Sequence, residues 1–197
     1  SIQAACYNCK MNFKVSSSPN EVKSSSAIIL PGVGSFKKGV KNLKDLKLFD
    51  LLREEILEGK PTLGICLGMQ LLLNESEEFG LTKGLSVIEG TVKKFDFEND
   101  MNNKIPHIGW NSIINSKISW KGTILESVKN LDKMYFVHSY FVKLEDQKQI
   151  LSETQYGNLK FCSSLKYKNI YATQFHPEKS GPNGLKILSE FKKIFQL

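Results

Sequence analysis

The stretch Thr62-Leu63-Gly64-Ile65-Cys66-Leu67-Gly68-Met69-Gln70 runs from an apolar, strand-like segment through a cysteine into the helix-like pattern of Leu71, Leu72 and Leu73. Glycines two positions either side of a nucleophile are what a sharp strand-to-helix turn demands, because bulky neighbours clash where the backbone is strained. A cysteine at such a turn also sits at a helix N-terminus, where unpaired N–H groups and the helix dipole favour the thiolate. The same window equally describes a buried cysteine in a tight strand–helix packing turn, with the glycines there only for close approach. The two readings stand level on this window, so the rest of the chain has to separate them.

Working outward, Ala27-Ile28-Ile29-Leu30 is a second short apolar run, closed by Pro31-Gly32. Two such runs read as buried parallel strands. Leu48, Leu51, Leu52, Ile56 and Leu57 keep helical spacing between them, and Gly59-Lys60-Pro61 ends that helix. Strand, helix, strand, then a helix expected to run to about Phe79, predicts α/β architecture with right-handed crossovers. Residues 2–13 read as a helix and 20–23 as a short helix or turn. From residue 85 shorter segments with polar alternation follow, at 85–89, 91–95, 111–114, 134–138 and 141–143. The segments 159–164 and 170–174 read as an antiparallel pair across the turn at 166–169. Residues 184–195 read as a closing helix with one buried face. A doubly wound fold normally opens on a buried strand, whereas this sequence opens on a helix. The expectation is therefore one domain over 1–197 that lacks its N-terminal strand.

At 197 residues, 41% hydrophobic and 24% charged, the chain has the composition of a soluble globular domain with room for a real core. No apolar run approaches the ~20 residues of a membrane span. The net charge of +7 does not indicate nucleic acid: Arg53 is the only arginine, and the lysines are scattered rather than clustered. Recognition of phosphate by an arginine cluster is excluded. Cys6 and Cys9 have CxxC spacing, but no second pair or matching histidines complete a zinc site, and with Ala4 and Ala5 they read as small residues packing on a helix. Neither a metal nor a cofactor is expected, and the free cysteines suit a cytoplasmic compartment.

A nucleophilic cysteine needs a base to take and return a proton, and a group to orient that base. His176-Pro177-Glu178 follows the strand-like Tyr171-Ala172-Thr173-Gln174-Phe175. With Pro177 blocking helix, His176 and Glu178 would project from one extended stretch toward the same side. Alone, this tripeptide is an ordinary turn with solvated charges; beside a glycine-flanked cysteine it becomes a candidate for the missing pair. Pro31-Gly32-Val33-Gly34-Ser35-Phe36 places two glycines just after a strand end, where backbone N–H groups could receive an oxyanion. It lacks the Gly-Lys-Ser/Thr ending of a phosphate loop. His107 and His138, the remaining histidines, read as a surface or interface residue and as a residue ordering Ser139-Tyr140.

PGVGSF, GICLGMQ and QFHPEKSG, in this order, resemble the triad (class I) glutamine amidotransferases. PHIGWN at 106–111 and YFVHSY at 135–140 narrow the resemblance to the glutaminase subunits of imidazole glycerol phosphate synthase, and it spans Ser1 to the C-terminus. The resemblance implies a flavodoxin-like three-layer fold with a mixed, mainly parallel central sheet and a smaller antiparallel part. It assigns Cys66, His176 and Glu178 as the catalytic triad. It assigns Val33, Gly34 and Leu67 to the oxyanion hole, and Gly34, Gln70, Glu78, Ser139 and Tyr140 to glutamine binding. Gln70 and Glu78 are expected on the one helix that begins at the cysteine. The resemblance further implies a (β/α)8-barrel cyclase partner receiving ammonia, with Trp110 and Lys179 at the interface. For those two residues the plainer alternatives are core packing and a solvated charge. Amidation of a surface-polysaccharide sugar would use the same glutamine chemistry, so the acceptor stays open at this level. A non-catalytic module on the same fold is disfavoured by the intact triad, and an esterase or peptidase by the His-x-Glu adjacency.

Overall fold

The computed structural model describes residues 1–97 and 104–197. The chain opens with helices α1 (Ile2–Asn8) and α2 (Pro19–Ser24), strand β1 (Ile28–Gly32), and helices α3 (Phe36–Asp45) and α4 (Phe49–Leu57). Strand β2 (Thr62–Cys66), helix α5 (Leu67–Leu71) and strands β3 (Leu73–Ser76), β4 (Thr82–Lys83) and β5 (Ile88–Lys94) follow. Then come β6 (His107–Ser112), β7 (Ile114–Asn115), β8 (Lys133–His138), β9 (Tyr140–Leu144), β10 (Ile150–Tyr156), β11 (Leu159–Tyr167), β12 (Ile170–Thr173) and helix α6 (Gly181–Phe195).

Three layers form because the parallel strands pack apolar side chains toward both faces of the sheet, β1 and β12 toward both cores and β2 toward one. In β2, Leu63 and Ile65 join a core with α1 and α6, as do Tyr171 of β12 and Phe175 just beyond it. Ile28, Ile170 and Ala172 face the opposite core, built with α3, α4 and α5. The central sheet has the order β1-β2-β12-β11-β10-β7. A second sheet has the order β4-β3-β5-β9, and β6 pairs with β8 as a ribbon.

The central sheet is mixed, but its parallel part is smaller than expected. Pairings β1–β2 and β2–β12 are parallel; β12–β11, β11–β10 and β10–β7 are antiparallel. The tight connections Gly157-Asn158 and Lys168-Asn169 leave no room for a crossover, so those neighbours must run antiparallel. All three strands of the parallel part end at the same edge, where the candidate residues lie.

The helix expected to reach Phe79 stops at Leu71. Its C-terminal carbonyls are taken by the chain that follows: Leu85 N–H donates to Leu71 O at 2.8 Å, Val87 N–H to Leu72 O at 3.0 Å, and Gly84 N–H to Asn74 O at 2.8 Å. Residues 73–76 therefore enter the second sheet, and Glu78 lies beyond it rather than on the helix. The opening helix is likewise shorter than read, ending at Asn8.

Candidate active site

Cys66 ends β2 and precedes the first turn of α5 with φ +54° and ψ −108°, a conformation that costs a non-glycine residue roughly 1–3 kcal/mol. The surrounding glycines hold it there by close approach. A Cβ on Gly68 would lie 1.7 Å from Leu30 O; one on Gly32 would lie 2.9 Å from Leu67 Cβ; one on Gly64 would meet Leu72 Cδ1 and Met69 N at 3.0 Å. Both readings of the glycines thus hold together, since the packing that needs them also fixes the strained turn. Because α5 has only five residues, its dipole contributes little, and stabilisation of a thiolate falls to the side chains around the sulfur. β1 continues through Pro31 to Gly32, which pairs with Cys66, so Val33 and Gly34 leave the sheet beside Leu67.

His176 is anchored through its backbone. Its N–H donates to Tyr135 O at 2.9 Å, and its C=O accepts from Ser180 Oγ at 2.6 Å and Lys179 N–H at 3.0 Å. Pro177–Lys179 form a 3-10 turn, not an extended stretch: a proline lacks only an N–H that the first helical position leaves free anyway. The turn curls Glu178 back so that Oε1 meets His176 Nδ1 at 2.9 Å, with the two side chains 6% and 2% exposed. His176 Nε2 and Glu178 Oε2 are buried with no partner at ordinary hydrogen-bond distance among the described residues, and the group that acts on the imidazole beside Glu178 is the Cys66 sulfur. Burial works against a charged imidazole here, but the neighbouring Cys66 sulfur and the Glu178 carboxylate outweigh it and raise His176 to about 9. At neutral pH His176 is therefore an acid, with Nε2 free to deliver its proton.

The residues expected to bind glutamine gather around the elbow, though two are held differently. Glu78 Oε2 accepts from Phe36 N–H, so this buried carboxylate caps α3 two residues after Gly34 and ties down the glycine turn. Tyr140 lies near it: burial, then the Glu78 charge, raises the phenol. Both amide hydrogens of Gln70 are engaged within the protein, with Tyr140 O at 3.0 Å and Gln174 Oε1 at 3.0 Å. Only its Oε1 is left for a ligand. Ser139 sits between β8 and β9, its carbonyl accepting from Phe95 N–H at 3.1 Å. Trp110 is 55% exposed on β6, with its ring 6.0 Å from that of Tyr135, and Lys179 is exposed on the turn that carries Glu178.

His107 is not a surface residue. It is 3% exposed, directly opposite His138 in the β6–β8 ribbon, and stacked on Tyr156 at 4.0 Å between ring centroids. Burial lowers His107 to about 4 and His138 to about 3, so both stay neutral. Gln174 has a place at the site that the sequence reading left to strand packing: its Nε2 lies 3.6 Å from Cys66 Sγ. The available signal was a polar residue among buried ones, two positions before a histidine.

The family model for glutamine amidotransferase class-I matches residues 2–194. The chain is 45% identical over 185 residues to imidazole glycerol phosphate synthase subunit HisH 1 of Campylobacter jejuni strain 81-176, covering 93% of this chain and 88% of that one. It is 47% identical over 166 residues to subunit HisH of Aquifex aeolicus, covering 84% and 76%. Among solved structures, a glutamine amidotransferase superposes with a TM-score of 0.73 at 16% identity, covering 100% of this chain and 93% of the other. The Trypanosoma brucei CTPS glutaminase domain with bound acivicin superposes with 0.64 at 19%, covering 98% and 87%. These two share the fold, and the match along nearly the whole sequence settles the lineage: the chain belongs to the class-I glutamine amidotransferase family.

Proposed function

We propose that the chain is the glutaminase subunit of an imidazole glycerol phosphate synthase, a single domain over 1–197 working in the cytoplasm. It hydrolyses L-glutamine to glutamate and ammonia, and the ammonia passes to a (β/α)8-barrel cyclase subunit making imidazole glycerol phosphate and AICAR for histidine biosynthesis. The observation that carries the glutaminase reading is a cysteine on a strained elbow acting on a buried imidazole whose Nδ1 is fixed by a carboxylate. The names borne by relatives at 45% and 47% identity support the acceptor.

In this reading Cys66 Sγ forms a bond to the side-chain carbonyl carbon of glutamine, and the carbonyl oxygen takes up negative charge. Backbone N–H groups of Leu67 and the Val33–Gly34 turn receive that charge. The carbon–nitrogen bond breaks as His176 Nε2 protonates the leaving amine, releasing ammonia and leaving a γ-glutamyl thioester. His176, now neutral and oriented by Glu178, takes a proton from water as it attacks the thioester; the carbon–sulfur bond breaks and glutamate leaves. Gly34, Ser139 and Tyr140 line the glutamine site, and the free Oε1 of Gln70 suits the α-ammonium. Glu78 contributes by fixing the glycine turn. Trp110 and Lys179 face the partner.

Expression in a histidine auxotroph lacking this subunit tests the proposal. Growth without histidine is expected. No growth despite soluble, well-expressed protein and a cognate cyclase would contradict the histidine pathway and turn attention to surface-sugar amidation.

A further inference from the structure

An amide nitrogen 3.6 Å from a nucleophilic sulfur is informative only if it is known to be nitrogen, since a glutamine side chain can be placed either way round. Here the surrounding hydrogen bonds decide it. Tyr140 O can only accept, so Gln70 must present its NH2 group there, at 3.0 Å. The second hydrogen of that NH2 points at Gln174, 3.0 Å away, so Gln174 must offer its oxygen to Gln70. The nitrogen of Gln174 is thereby turned toward Cys66 Sγ. Gln174 is fully buried, and its own N–H donates to Ser163 O at 2.9 Å, so its backbone is fixed as well.

The Tyr140 carbonyl is held from its other side. His138 Nδ1 lies 2.8 Å from it and must carry a hydrogen. His138 Nε2 is then an acceptor and takes the Nδ1 hydrogen of His107 at 3.1 Å. His107 Nε2 is left to accept from Asn111 Nδ2 at 3.3 Å. Donors from both directions converge on Tyr140 O, so the chain cannot pass a proton through it. Its effect is to fix orientations.

Resting on the glutaminase reading of the site, we propose that Gln174 is a further catalytic residue whose amide N–H stabilises the Cys66 thiolate, with Gln70 as the positioning residue that sets its orientation. Such a donor matters here because α5 is too short to supply much of a dipole. A hydrogen bond to a charged group is typically stronger than one between neutral groups. Among the described residues His176 faces the sulfur and is bonded to Glu178; neutral His138 on β8 feels the charge of His176, and Cys6 of α1 that of Glu178.

The test is the pH profile of Cys66 alkylation by iodoacetamide, read peptide by peptide so that Cys6, Cys9 and Cys162 are followed separately. Q174M is expected to move the profile up by about one pH unit and to slow alkylation about tenfold at neutral pH. Q174E still accepts from Gln70 but turns a carboxylate toward the sulfur, and is expected to move the profile further. Superimposable profiles for wild type, Q174M and Q174E overturn the proposal. Should Q174M not fold, Q70M is read in its place: it frees the Gln174 amide to turn and should shift the profile in the same direction, and an unchanged profile counts against the proposal. Alkylation needs no substrate, so its outcome is separate from the glutaminase reading, which fails if wild-type protein with its cyclase releases no glutamate from glutamine.

Discussion

At the scale of single residues, the site depends on how Cys66 and His176 are constrained by neighbours distant in sequence. The strain at Cys66 persists because Gly68 packs onto Leu30 O with no space for a side chain. His176 owes its raised value of about 9 to Cys66 and Glu178, against its burial. A value raised above the ordinary 6.5 means that the charged imidazole stabilises the folded state fully below pH 6.5 and ceases to do so as pH rises through about 9. If His176 Nε2 delivers the proton to the leaving amine as proposed, glutaminase turnover is expected to fall along an alkaline limb near pH 9. In Glu178→Gln the loss of the carboxylate charge should move that limb to lower pH; a limb that stays in place in kcat/KM profiles would remove Glu178 from this role. The residues proposed as the triad could be picked out because they sit in short motifs whose spacing suits that chemistry. Gln174 could not, because its proposed role comes from which way its amide is turned, and Gln70, Tyr140 and His138 decide that from other elements.

Among elements, strands written as short continuous apolar runs were the easiest to read. Ala27–Leu30 and Thr62–Ile65 are continuous apolar runs, and both lie in the central sheet. Helix α3 was missed although Phe36, Val40 and Leu43 keep i, i+4, i+7 spacing on its core side, because these few apolar residues stand in a lysine-rich segment of low mean hydropathy. Strand β10 was missed for a related reason: its buried positions include Ser152 and Thr154, which give no apolar alternation. α5 was overextended because Leu71, Leu72 and Leu73 satisfy a helix pattern, whereas hydrogen bonds from residues 84–88 draw the chain into a sheet. The β6–β8 ribbon makes a prediction of its own. His107 and His138, lowered by burial to about 4 and about 3, stabilise the fold above pH 6.5 and withdraw that contribution as pH falls toward those values. In NMR both imidazoles should remain neutral Nδ1–H tautomers from pH 8 down to about 5. Titration of either near pH 6.5 would contradict the hydrogen-bond order described above.

For the whole molecule, a three-layer fold brings the ends of three parallel strands together, and the second sheet and the ribbon enclose the edge where they meet. Fold class and lineage were legible because the motifs lie at those strand ends. The hairpin at Lys168-Asn169 was legible too, but the balance of parallel and antiparallel pairing was not, since strand β10 and its hairpin at Gly157-Asn158 were missed. The exposed Trp110 and Lys179 lie on the side of the ribbon and the His176 turn, where a partner subunit could cover the triad. The central claim is that Cys66 is the nucleophile that releases ammonia for that partner. It is tested most directly by comparing wild type with Cys66→Ala, each combined with the cyclase subunit and supplied with either glutamine or an ammonium salt. The account predicts loss of glutamine-dependent product by at least about 10³-fold with ammonium-dependent product unchanged; glutamine-dependent turnover retained in Cys66→Ala would contradict it.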